Sequence, residues 1–187
     1  LEEAVSELEE AWALALAEAE RRARAAGRNE VSEYLALRNS NDLIRKIAGD
    51  WLLGIFTAAA GEANRAGAAI QISTEAGHRF RVGNASMVGS RLSLGSGVRL
   101  LSVELGWPRA PRDGFIRGGG LACGYVKHRG IKSATEELRL VQSANGTPIW
   151  IVKEEDAPPH QIRKRSHEPQ DFHEAHVKKH VALLLKH

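Results

Sequence analysis

Ile70-Gln71-Ile72-Ser73-Thr74-Glu75-Ala76-Gly77-His78-Arg79-Phe80-Arg81-Val82 is the stretch whose reading decides the fold. Ile70, Ile72 and Thr74 alternate with Gln71, Ser73 and Glu75, a period of two that sends neighbouring side chains to opposite faces of an extended strand. Ala76-Gly77 reads as a turn, and Arg79 and Arg81 alternate with Phe80 and Val82 on the return. A β-hairpin with both arginines on one face is the expectation.

Downstream, residues 87–94, 98–105, 114–116, 121–127, 137–142 and 148–152 are further strand candidates. Gly83-Asn84, Gly95-Ser96-Gly97, Asp113-Gly114, Gly130 and Asn145-Gly146 punctuate them as turns. Short strands separated by Gly-rich turns predict a mainly antiparallel β-barrel or sandwich. No strand–helix alternation appears, which argues against a doubly wound nucleotide fold.

Upstream the period changes to that of a helix. Val5, Leu8, Trp12, Leu16 and Ala19 share one face of a helix over 2–26, with Glu2, Glu3, Glu7, Glu9 and Glu10 early and Arg21, Arg22, Arg24 and Arg28 late. That order complements the helix dipole, and Gly27 supplies the stop. A second helical piece, 30–38, is expected to end at Asn39-Ser40-Asn41-Asp42, where any of the last three can cap a third helix. In that third helix Leu43/Ile44, Ile47/Ala48, Trp51/Leu52, Ile55/Phe56 and Ala59/Ala60 recur every four residues until Gly67. After Pro158-Pro159, residues 171–187 predict a last helix. The expected fold is therefore α+β, with N-terminal helices followed by a mainly antiparallel β-barrel or sandwich and a C-terminal helix. The regions are 1–66 (helical), 67–152 (a Gly/Arg-rich β domain) and 153–187 (a Pro-marked linker and a His/Lys-rich helix).

Composition narrows the class. Of 187 residues 43% are hydrophobic, enough for a packed core. One cysteine, Cys123, excludes an internal disulfide framework and a multi-cysteine zinc site. The charge-free apolar stretch 51–61 is too short to span a bilayer, so no transmembrane segment is expected. The first twenty residues carry seven acids and no base, the reverse of a secretory signal, and a cytoplasmic location is expected.

The net charge of +3 conceals an asymmetry: −4 over 1–66, +6 over 67–152 and +1 over 153–187. Arginine in the middle region suits planar oxyanions, which its fork holds by two parallel hydrogen bonds. The leading expectation is a non-catalytic binding module for an anionic partner (a nucleotide, nucleic acid or acidic protein) through Arg79, Arg81, Arg91, Arg99, Arg112, Arg117 and Arg129. The alternative to an open basic surface is that the acidic N-terminal helices neutralise it. Asn84-Ala85-Ser86-Met87-Val88-Gly89 resembles the Asn-x-Ser-x-x-Gly half of the PilZ-domain signature, which would imply a cyclic dinucleotide ligand. The other half, an Arg-x-x-x-Arg pair just upstream of the strands, is missing, Arg65 standing alone there, and the turn reading of Asn84 and Gly89 is preferred.

Two rival functions remain. The first and third helices could form an oligomer interface, giving a structural or adaptor protein. His173, His176, His180 and His187 fall on one edge of the last helix, so His173, His176 and His180 could hold a divalent transition metal for a metal-dependent enzyme. Otherwise catalysis is not expected. Cys123 and His128 are five residues apart, hence on opposite strand faces, and no Gly-x-Ser-x-Gly elbow is present.

Overall fold

The computed structural model describes residues 2–116, 118–153 and 170–186, the first twelve of these by their backbone alone. Helices α1 (Glu2–Ala25) and α2 (Asn29–Arg65) lead into six strands, β1 (Gln71–Val82), β2 (Ala85–Ser96), β3 (Arg99–Trp107), β4 (Ala122–His128), β5 (Ile131–Gln142) and β6 (Pro148–Val152). A short 3-10 turn, Pro111–Asp113, sits between β3 and β4, and helix α3 (Glu174–Leu185) closes the chain. The strands form one antiparallel sheet in sequential order, so the fold is α+β. The sheet is open, with β1 and β6 at its two edges.

The chain divides into two compact units, residues 1–47 and 48–187, with the division inside α2. In the first unit, α1 ends where Gly27, at φ 69°, donates to Arg24 O and Arg28 donates to Ala23 O. This is the left-handed stop expected there. α1 binds its own charges, Arg21 and Arg22 to Glu18 and Arg24 to Glu20.

α2 corrects the expected break at Asn39-Ser40-Asn41-Asp42, for it runs through these residues without interruption. Each costs a helix only a few tenths of a kcal/mol, and no Pro or Gly stands among them to end it. Asp42 engages Arg45 one turn on rather than capping a new helix.

In the second unit the sheet has a dry face. Leu92 and Leu94 of β2, Leu101, Val103 and Leu105 of β3, Val126 of β4, Leu138 and Leu140 of β5 and Trp150 of β6 are all buried on it, as the register requires. Leu52, Phe56 and Ala60, on one side of α2, are fully buried, and so are Val177, His180 and Leu184 of α3 or nearly so. Trp150 Nε1 donates to Ala48 O (2.9 Å), and Gly49 approaches Leu105 so closely that a Cβ would stand 3.0 Å from its Cδ1. Phe56 stacks on Phe172, 6.0 Å between ring centres. Among the described residues no helix is long and apolar enough to cross a membrane.

Residues 70–82 form no hairpin. β1 is a single strand whose pairing with β2 slips between Ala76 and His78, where Gly77 adopts φ 71°. The glycine makes a bulge, which reverses the phase of alternation without reversing the chain. The true turn is at Gly83-Asn84. Arg79 and Arg81 do share a face, opposite Phe80 and Val82. Residues 114–116 are no strand but follow the 3-10 turn.

Gly89 and Gly106 face each other across β2 and β3. A Cβ on Gly89 would lie 2.0 Å from Leu105 O, and one on Gly106 2.9 Å from Val88 C. The backbones are thus closer here than a side chain permits. Gly89→Ala is expected to cost about 1–3 kcal/mol in urea unfolding, as overpacking does. Gly54→Ala, on an exposed helical site with nothing within 4 Å, should instead stabilise by up to about 1 kcal/mol. Equal midpoints for the two variants would refute the close approach.

Candidate functional site

The other face of the sheet carries the charge. Glu75, Arg91, Glu104, Tyr125 and Glu137 lie opposite one another across five successive strands, and Lys153 N donates to Glu137 O beyond them. Arg91 binds Glu75 at 2.6 Å. Glu104 is buried and takes His78 Nε2 at 2.9 Å on one oxygen and Lys127 on the other. Lys127 also lies 4.3 Å above the Tyr125 ring centre. Opposite charges in facing positions support a sheet much as spaced ion pairs support a helix.

At one end of this face lies a cavity of about 390 Å³, within the range of small-ligand sites. Its floor is apolar. Ala85, Met87 and Cys123 are buried there, with Phe80, Val82 and Ile116 packed against them. Its polar wall comes from Tyr125, Glu137, Arg139 and Lys153, and Asn84 and the exposed Phe115 also border it. Alternation on β5 places Glu137 and Arg139 on the same side, and register places Arg139 opposite Cys123.

Glu137 is fully engaged, with Lys153 Nζ 3.3 Å from Oε1 and the Tyr125 hydroxyl donating to Oε2 at 3.5 Å. Arg139 is not. Among the described residues it makes no ion pair, and its buried Nε has no hydrogen-bond partner. Glycine makes room for it: a Cβ on Gly120 would lie 2.7 Å from its Cγ, and one on Gly118 2.5 Å from Nη1. Burial pushes the Cys123 thiol up to about 11, against the pull of Arg139. Burial, then the Glu137 carboxylate, pushes the Tyr125 phenol up to about 12. Both are protonated donors at neutral pH, so neither is an activated nucleophile.

The arginines singled out in the sequence do not gather in one place. Arg79 and Arg81 project from the dry-face side of β1, where the strand is exposed. Arg91 lies on the charged face, bound to Glu75. Arg99 donates to Leu183 O at the end of α3, 3.1 Å away. Arg112 and Arg129 are exposed on the 3-10 turn and the β4–β5 turn, and Arg117 lies outside the described residues. Arg109 stacks on Trp107, 3.9 Å from its ring centre. Four of the five acids of 67–152 pair with an Arg or Lys of the second unit, and Asp113 accepts a hydrogen bond from Ala110 N.

The histidines are likewise dispersed into structural roles. His180 is 2% exposed, with Nδ1 3.0 Å from His128 Nε2 and Nε2 3.2 Å from Glu136 Oε2. His173 N donates to His176 Nδ1 (3.3 Å) at the start of α3, and His173 Nδ1 is 2.7 Å from Asp171 O. The residues expected to form a metal set thus cap and anchor a helix. Among the described residues no group of three or more His, Cys, Asp or Glu is placed to hold a metal ion. His160, His167, His187 and Pro158-Pro159 lie outside the described residues.

Comparison with known proteins assigns no family, for no family model, curated protein or solved structure matches the chain. The half-signature at 84–89 has a local explanation: Asn84 sits in the β1–β2 turn, and Gly89 meets the backbone of β3.

The buried histidine pair has a pH consequence. Burial first, then the neighbouring His180, pulls His128 down to about 4. Arg99 pulls in the same direction, while Glu136 opposes them. Burial also lowers His176, and Glu136 is held at about 2, first by its contact with His180, with Lys179 adding to it. Below pH 6.5 the unfolded chain therefore takes up a proton that folded His128 refuses. The stabilisation is complete above pH 6.5 and is lost towards pH 4, at up to about 1.4 kcal/mol per pH unit for this group. Urea unfolding at pH 7.5 and pH 5 should show the loss, with a shallower dependence for His128→Phe.

Proposed function

We propose that the chain is a non-catalytic binding module that takes a small anionic ligand in the cavity on the charged face of its sheet. The observation that carries this reading is Arg139, a guanidinium on the cavity wall that makes no ion pair among the described residues and whose buried Nε has no hydrogen-bond partner. The side chain is half-buried with its Nε out of solvent, and a withdrawn polar atom without a partner lowers stability, so an apolar side chain of similar shape is often neutral or stabilising there. A guanidinium so placed is open to a ligand, and an anion with two acceptor oxygens fits it best.

The protonated Tyr125 hydroxyl and Cys123 thiol supply neutral donors close by, and Lys153 adds charge at the rim. Arg139→Met should leave the unfolding midpoint unchanged or raise it. It should also weaken by about 10- to 100-fold any anion that stabilises the wild-type protein in a thermal-shift panel of carboxylates and phosphates, the loss of one or two charged hydrogen bonds. A panel in which no anion binds, or in which binding ignores Arg139, refutes the reading.

A second reading, self-association through the helical unit, is supported by apolar side chains exposed along α2. Tyr34, Leu37, Leu43 and Ile47 are each more than half exposed. Apolar surface of that extent on one helix is characteristic of an interface. Light scattering at micromolar concentration should report a dimer or larger, reduced to a monomer by Leu43→Asp with Ile47→Asp. A wild-type monomer removes this reading.

A further inference from the structure

The chemistry of the cavity wall goes further than its sign. Asn84 borders the space, and the polar wall of Tyr125, Glu137, Arg139 and Lys153 does not contribute four independent contacts. Glu137 ties up Lys153 at 3.3 Å and the Tyr125 hydroxyl at 3.5 Å, an arrangement that is neutral as a whole. Arg139, two residues along the same strand and on the same side, makes no ion pair among the described residues. The remaining lining is apolar, from Met87, Ala85 and Ile116 to the exposed Phe115 ring at the edge.

Resting on the pocket reading above, we infer that the ligand is an amphipathic monocarboxylate, with one planar carboxylate on Arg139 and an aliphatic or aromatic body over the Met87–Ile116 floor. Charge decides against more highly charged ligands. A phosphate monoester carries close to two negative charges at neutral pH, and its second charge would face the Glu137 carboxylate, whose own cation is already engaged. A neutral alcohol of the same shape would leave the guanidinium unpaired. Size points the same way, since about 390 Å³ lies near the small end of ligand cavities. The planar fork of arginine matches a carboxylate in two parallel hydrogen bonds, which lysine cannot reproduce.

Titration calorimetry on the full chain with octanoate, phenylacetate, 1-octanol and a nucleoside monophosphate tests the assignment. Octanoate or phenylacetate should bind at least 10-fold more tightly than octanol and than the monophosphate. Arg139→Met should abolish that preference, and Arg139→Lys should retain only part of it. Glu137→Gln, which frees Lys153, should tighten the monophosphate by about 10-fold while changing the carboxylates little. Tighter binding of the monophosphate, dependent on Arg139, would overturn the monocarboxylate and leave the anion pocket standing. Octanol binding as tightly as octanoate would overturn the head-group assignment. Absence of binding by every anion would overturn the pocket reading as well. The unfolding midpoint of each variant, measured alongside, separates loss of a contact from loss of the fold.

Discussion

One face of a six-stranded sheet must be kept from water, and the second unit is organised around that requirement. Leu52, Phe56 and Ala60 from α2 and Val177, His180 and Leu184 from α3 are withdrawn from solvent together with Leu94, Leu101, Val103 and Leu140 of the strands. Polar groups caught inside include the Trp150 indole, which donates to Ala48 O, and the ring nitrogens shared between His128 and His180. The opposite face carries the charge. Glu75, Arg91, Glu104, Tyr125 and Glu137 all lie on it, as does the cavity.

This separation changes the meaning of the chain's charge. The excess of arginine over 67–152 is real, yet several of its members act one at a time: Arg91 neutralises Glu75, Arg99 meets the end of α3, and Arg109 covers Trp107. Net charge describes long-range attraction, whereas recognition depends on whether a particular cation has been left without a counter-charge. Arg139 differs from the other arginines in its place, half-buried on a cavity wall with its Nε withdrawn from solvent.

Much of the architecture was legible in the sequence. The helix stop at Gly27, the broad stripe around Leu52 and Phe56, the strand 148–152 and the common face of Arg79 and Arg81 follow from periodicity and turn chemistry alone. The errors have local physical causes. Gly77 looks the same in sequence whether it reverses the strand or inserts a bulge, and only the partner strand distinguishes the two. Asn39-Ser40-Asn41-Asp42 contains good capping residues, but α2 continues through them.

The site was harder to read. Arg139 shares a strand phase with Glu137, and Cys123 with Tyr125, which places each pair on one face. The register that brings β4 beside β5, and the fit of Gly118 and Gly120 around the arginine stem, involve residues far apart in the chain. The His173–His176–His180 spacing was a true helical edge whose rings were already engaged in holding that helix in place.

The two margins of the sheet differ in kind. Beside β6 the returning chain pairs with it, Val152 N donating to Gln170 O and Phe172 N to Trp150 O. No described segment does the same for β1. Edge-to-edge joining between molecules is therefore restricted to the Gln71 side, and the bulge at Gly77 prevents an incoming strand from staying in step along the full length of β1. An incoming strand would meet an interrupted ladder there rather than a flat template.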